Sequence, residues 1–112
     1  MNLPNREQAY VQPEKLRGYL LSLDHPVGHS KAVFFHALGF TEANSEQLAE
    51  ALLAIAQSGE VHDRIPTDYG VKYVIAGELS APSGQAVSLL TVRIIDRGQI
   101  APRFVTAYPL EE

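Results

Sequence analysis

Residues 70–96 read GVKYVIAGELSAPSGQAVSLLTVRIID. Two runs rich in β-branched and aromatic residues flank a turn-forming tetrapeptide, Ala81-Pro82-Ser83-Gly84, which is the pattern of a β-hairpin. The pairing of these two strands decides which face of the sheet is core. Side chains alternate along a strand, so a slip of one residue exchanges the faces. With Ala81–Gly84 as the tip, Ser80 stands opposite Gln85. Val71 then faces Ile94, Tyr73 faces Val92 and Ile75 faces Leu90, so one face is wholly apolar. The other face pairs Lys72 with Arg93 and Val74 with Thr91.

Outward from the hairpin, two more strands are expected, at about 60–65 and 103–108, joined through PTDYG and DRGQIAP. Short connections make neighbouring strands antiparallel and in chain order. The same register sets Phe104 beside Ile94 on the core face. It puts Arg103, Val105 and Ala107 on the opposite face, which turns Thr106 and Tyr108 inward. In the first strand Val61, Asp63 and Ile65 point inward and His62 and Arg64 outward.

Before residue 60 the apolar period is helical. Pro13 suits a first helical position, and Leu16, Tyr19, Leu20 and Leu23 form a stripe that ends at Asp24-His25-Pro26. A second helix is expected from Ser30, as N-cap, to about Leu38, with Gly39 as its stop. A third, capped by Thr41 or Asn44, places Leu48, Leu52 and Ile55 on one face and ends at Gly59. The fold class is therefore α+β: three N-terminal helices on one face of a four-stranded antiparallel meander. The expected organisation is a single domain over 1–112, with 1–12 as an extended arm.

The chain has 112 residues, of which 46% are hydrophobic, enough for one core. It has no apolar run of about 18 residues, and MNLPNREQAYVQP does not look like a signal peptide. No membrane partner is expected, and the simplest location is the cytoplasm. Cysteine is absent, which excludes disulfides, thiol nucleophiles and thiolate metal sites. The net charge of −4 disfavours a dispersed nucleic-acid coat but leaves room for a local basic cleft. Residues 61–112 carry six acids against five bases, two of the acids being the terminal Glu111 and Glu112. The second half is thus close to neutral.

The expected outer sheet face gathers His62, Arg64, Lys72, Arg93 and Arg103. Lys72 directly across from Arg93 needs an acid, solvent or an anionic ligand. A solvated face with cations guarding the edges would explain it, and so would a phosphate-binding surface. The other candidate stretch is DHPVGHSK, residues 24–31, just before the apolar AVFF. His25 and His29 flank a helix start, where backbone N–H groups and the helix dipole favour anions, and Lys31 adds charge. Histidine suits acid–base work on phosphodiesters because it titrates near neutrality. The plainer reading is a polar helix-entry turn, with Ser30 capping and Gly28 turning. His36, within the second helix, reads as a helix-face residue. His25 and His29 are four apart, but Pro26 and Gly28 spoil helical metal-ligand geometry, so no metal site is expected. No phosphate loop, dinucleotide loop or G-x-S-x-G motif is present, and no cofactor is implied.

The segments KLRGYLL, HPVGHSKAVFF, HALGF, TDYGVKYVIAGEL, APSG and PRFVTAYPL together resemble a family of small, uncharacterised bacterial domains with HPVG-x-SKA-x-FF and PR-x-VTAYP signatures. The resemblance covers about residues 15–110 and implies no particular activity. This chain departs from the pattern at Arg93, where a large aromatic residue is usual. More loosely, helices followed by a four-stranded sheet resemble the barnase/EndoU/colicin/RelE-like ribonuclease toxins. That resemblance implies a metal-independent endoribonuclease of toxin type. RNA would be the substrate and a small neutralising protein the partner. His25, His29 and Lys31 would be the catalytic residues. Ser30, His62, Arg64, Lys72, Arg93, Arg103, Thr106 and Tyr108 would bind substrate, although the register turns Thr106 and Tyr108 inward. The alternative is a non-enzymatic protein- or nucleic-acid-binding module.

Overall fold

The computed structural model describes residues 1–110. Its order is helices first and strands second. A 3-10 turn (Arg6–Gln8) precedes α1 (Pro13–Lys15), which continues as a π-helical turn (Leu16–Leu20). Then come α2 (His29–Ala37), a second 3-10 turn (Glu42–Asn44) and α3 (Ser45–Ser58). The strands are β1 (Glu60–Thr67), β2 (Gly70–Ser80), β3 (Ala86–Asp96) and β4 (Arg103–Pro109). They form one antiparallel sheet in the order β1-β2-β3-β4, the expected meander.

The helices pack on one face of this sheet. Leu48, Leu52 and Ile55 of α3 are buried against Tyr73, Ile75 and Leu79 of β2 and Leu89 of β3. Each such side chain contributes about 1.5–3 kcal/mol by leaving water. Phe35 and Phe40 close the same core in edge-to-face contact, 6.3 Å between centroids. Thr41 starts the run into α3, its N–H donating to Asn44 Oδ1 at 2.7 Å. The N-terminal residues pack too. Leu3 is buried, and Tyr10 pairs in parallel with Arg103 at the β4 edge.

Three local features depart from the expectations. The first helix is shorter than its stripe suggests. It closes with an i→i+5 bond from Leu21 N–H to the Leu16 carbonyl, 2.8 Å, and Leu23 beyond it is 48% exposed. α2 begins one residue before Ser30, with Gly28 as its N-cap, so Ser30 lies in the first turn and caps nothing. The hairpin register is shifted by one. Ser80 pairs with Ala86, not Gln85.

The turn itself explains the shift. Ala81 N–H donates to the Gln85 carbonyl (2.9 Å) and Gly84 N–H to the Ala81 carbonyl (2.9 Å), which leaves Pro82-Ser83-Gly84 as a three-residue tip. Gly84 has φ 91°, the left-handed position that such loops require. An odd tip in place of an even one turns β3 over. Tyr73 therefore faces Arg93, Ile75 faces Thr91 and Val71 faces Ile95 on the helix side. Lys72 faces Ile94 and Val74 faces Val92 on the open side.

Two bulges complete the correction. Val105 is skipped between the Val92–Thr106 and Arg93–Phe104 pairs. Phe104 stays on the core side as expected, but Ala107 is buried there as well. Thr106 and Tyr108 turn to the open side, with Arg103 opposite Ile94. In β1 the bulge falls at His62. Asp63 and Ile65 thus fall in line with the open-face residues Val74 and Lys72, while Arg64 pairs with Tyr73.

Candidate functional site at the helix-entry loop and the fourth strand

The loop between the π turn and α2 is held by its own histidines. His25 Nδ1 accepts the backbone N–H groups of Val27 (3.0 Å) and Gly28 (2.9 Å). An acceptor nitrogen carries no proton, so the ring proton of neutral His25 sits on Nε2. His29 is the reverse. Its Nδ1 lies 2.7 Å from the Leu23 carbonyl oxygen, which can only accept, so Nδ1 donates, and in the neutral ring Nε2 then carries the lone pair. His36 ties α2 to the end of the π turn, its Nε2 donating to the Leu21 carbonyl at 3.0 Å.

The loop meets β4 through Tyr19. The Tyr19 and Thr106 hydroxyls are hydrogen-bonded at 2.9 Å. The His25 ring stands edge-on to the Tyr19 ring, 5.3 Å between centroids at 77°. Lys15 Nζ lies 5.2 Å from the same ring, and Lys31 Nζ 6.0 Å from the Tyr108 ring. Gly28 permits the approach, because a Cβ there would fall 2.4 Å from the Tyr19 carbonyl oxygen. So His25, Lys31, Thr106 and Tyr108 are gathered at one edge, together with Tyr19 and Lys15. His29 makes no hydrogen bond to Tyr19, Thr106 or Tyr108 among the described residues.

The expected cationic face does not form as drawn. Arg93 lies on the helix side and is 1% exposed. Its Nη1 donates to the carbonyls of Tyr10 (2.8 Å) and Pro102 (3.3 Å), and its Nη2 to that of Leu52 (3.4 Å). Burial pushes its pKa down to about 10. Arg103 is on the open face but holds Asp96 with two bonds of 3.0 Å. This hydrogen-bonded pairing lowers the Asp96 pKa and raises that of Arg103. His62 and Arg64 are exposed on β1, at the sheet edge farthest from β4. Lys72 has Ile94 opposite it, and Arg103 lies beyond. The open face therefore carries Lys72 and Arg103 in one cross-strand row, with Val74, Val92 and Thr106 in the next.

Sequence reasoning passed over Tyr19 and Lys15. Tyr19 shares an α-helical stripe with Leu16 and Leu20, which marks it as core; it does pack against the core, and its hydroxyl also reaches Thr106. Among the described residues no group of three or more His, Asp or Glu is placed to hold a metal ion. Among the described residues no helix is long and apolar enough to cross a membrane.

The architecture is that of a small α+β domain with a polar site where the helical layer meets the last strand. The chain belongs to the family described as Domain of unknown function (DUF6883), which matches residues 2–111. Its fold is similar to that of a chain in a contact-dependent growth inhibition toxin–immunity protein complex from Klebsiella pneumoniae 342. The TM-score is 0.73 with 19% identity, over 96% of this chain and 97% of that one. At that identity the likeness concerns the fold. No curated protein matches the chain.

Proposed function

We propose that this protein is a metal-independent endoribonuclease of toxin type, acting at the edge where the His25–Lys31 loop meets β4. The observation that carries the reading is the Tyr19–Thr106 hydrogen bond, with His25 against Tyr19 and Lys31 over Tyr108. It joins the loop to the open face that also bears Lys72 and Arg103. The likeness to a toxin–immunity complex supports the same reading.

In this reading the substrate 2′-hydroxyl attacks the adjacent phosphorus. His29 Nε2, with its lone pair free, takes the 2′ proton, and the Leu23 carbonyl steadies the imidazolium that results. His25 is given no proton-transfer role in this reading, since its Nδ1 accepts two backbone N–H groups. Its Nε2–H donates to a non-bridging phosphate oxygen. Lys31 stabilises the developing charge and protonates the departing 5′ oxygen. Thr106, Tyr108 and Ser30 position the substrate, and Lys72 binds the backbone further along the face, with Arg103 offering Nη1 while Asp96 holds its Nε and Nη2. The likeness also supports a neutralising protein partner, which would act by covering this edge.

The test is RNA cleavage by purified protein in the presence of a chelator, with end-group analysis. Cleavage to a 2′,3′-cyclic phosphate and a 5′-hydroxyl is expected. It should fall about 10²–10⁴-fold in His29→Ala, the usual scale of lost acid–base catalysis. Cleavage abolished by the chelator would reject the metal-free mechanism. No cleavage of any RNA, with a protein partner still captured, would favour a binding module.

A further inference from the structure

Arg93 has no part in the site above, and its surroundings are unusual. A guanidinium is among the costliest groups to bury, and buried cations are normally paired with a carboxylate. Here every hydrogen-bond partner is a neutral backbone carbonyl. Nε has no partner among the described residues. The Phe104 ring lies 5.5 Å from Cζ. Both Nη1 hydrogens are used, whereas Nη2 has one long bond of 3.4 Å. The guanidinium thus keeps unused donor capacity on its Nε–Nη2 side, although Nε itself is enclosed.

Arg93 also lines a cavity of about 270 Å³, together with Ala9, Val11, Ala49, Leu53 and Glu50. An apolar wall with one convergent cation is the usual composition of a small-ligand site. We infer that this cavity binds a small monocarboxylate with an apolar body, its carboxylate drawn to the Arg93 guanidinium and its body against Ala9, Val11, Ala49 and Leu53. The site lies between the N-terminal segment and α3 and shares no residue with the His25 loop or β4. A phosphate dianion is disfavoured, because Glu50 at the lining repels a second negative charge and an apolar wall cannot solvate it. A planar carboxylate brings one charge and two oxygens to a planar fork.

The experiment titrates the full chain with benzoate and hexanoate, and with benzamide and hexanol as neutral counterparts. Methyl chemical shifts and melting temperature are the readouts. Each acid should bind saturably with a Kd on the order of 1 mM. Each should raise the melting temperature in proportion to the logarithm of excess ligand, and shift the methyls of Ala9, Val11 and Ala49. Glu50→Gln should tighten binding about twofold to fivefold. Arg93→Met should abolish the response. Ala49→Phe, which fills the cavity and leaves Arg93 intact, should abolish it too. Equal responses to acid and amide would overturn the inference, as would binding that survives Ala49→Phe or no response by the wild type. A large melting loss in Glu50→Gln with no ligand response would make Glu50 the partner of Arg93, and would overturn it as well.

Discussion

The hydroxyls of Tyr19 and Thr106 meet at 2.9 Å across 87 residues of chain, joining the first helical segment to the last strand. The bond is part-buried, and no other side-chain hydrogen bond among the described residues links the segment 13–37 to β4. Removing either hydroxyl should cost about 1 kcal/mol, the net worth of a neutral hydrogen bond. Tyr19→Phe, Thr106→Val and the double variant form a cycle. Denaturant unfolding should give a coupling of about 0.5–1.5 kcal/mol. A coupling indistinguishable from zero would mean the contact does not hold the edge together.

The His25 ring is a cap for its own loop, and the choice of substitute separates that role from chemistry. Asn at 25 can offer its side-chain oxygen to the N–H groups of Val27 and Gly28, as in an Asx turn. His25→Asn should therefore keep near wild-type stability while losing the Nε2–H donor. His25→Ala should lose about 1 kcal/mol by stranding the two N–H groups. If RNA cleavage falls equally in both variants, the donor matters. If only the Ala variant is impaired, the loop's shape was at stake.

Gly28 is needed for space. Its φ of −83° suits any residue, but a Cβ would lie 2.4 Å from the Tyr19 carbonyl oxygen and 2.9 Å from Tyr19 Cδ1. Gly28→Ala should destabilise by about 1–3 kcal/mol, as overpacking does. It should also displace Tyr19, which is visible as changed shifts at Thr106. A neutral Gly28→Ala would show that loop and π turn are not in fixed contact.

The Asp96–Arg103 pair sets a pH dependence. The folded-state pKa of Asp96 is lowered, first by the hydrogen bond from Arg103. A depressed carboxyl adds stability above its unfolded pKa of about 3.9, and this is lost as pH falls through the folded value. The pair is about one-third exposed and screened by solvent, so about 0.5–1 kcal/mol is expected. Unfolding of wild type and Asp96→Asn should differ by that amount at pH 7 and converge in strong acid. A constant difference at all pH values would contradict the assignment.

Arg93 bonds to three segments: Tyr10 in the N-terminal stretch, Leu52 in α3 and Pro102 before β4. Arg93→Ala should cost about 3–5 kcal/mol through the lost volume and the three lost hydrogen bonds, although the Tyr10 and Pro102 carbonyls keep their backbone partners. Arg93→Met keeps most of the volume and removes a buried charge, so it should cost much less. The sign with pH is the reverse of that for Asp96. Above about 10 the unfolded chain holds the Arg93 proton more tightly than the folded one, so stability relative to Arg93→Met should rise as the pH climbs past that value.

Much of this was legible along the chain. Pro13, Gly39 and Gly59 mark helix boundaries, APSG marks a hairpin, and the change of period near residue 60 separates helices from strands. These signals are local, and local backbone preferences suffice to set them. DHPVGHSK was legible as a polar helix-entry loop for the same reason. Which face each strand residue occupies was not. In β3, Leu89, Leu90, Val92, Ile94 and Ile95 put apolar side chains on both faces, so hydrophobic agreement cannot choose between registers one residue apart. The three-residue turn at Gly84 and the bulges at His62 and Val105 made that choice. They brought Thr106 and Tyr108 out to meet Tyr19 and Lys31 and sent Arg93 into the core. The sequence by itself determined the elements and their order. Only the tertiary structure decided the faces, because strand phase depends on pairing with a neighbour, and a single inserted residue reverses it.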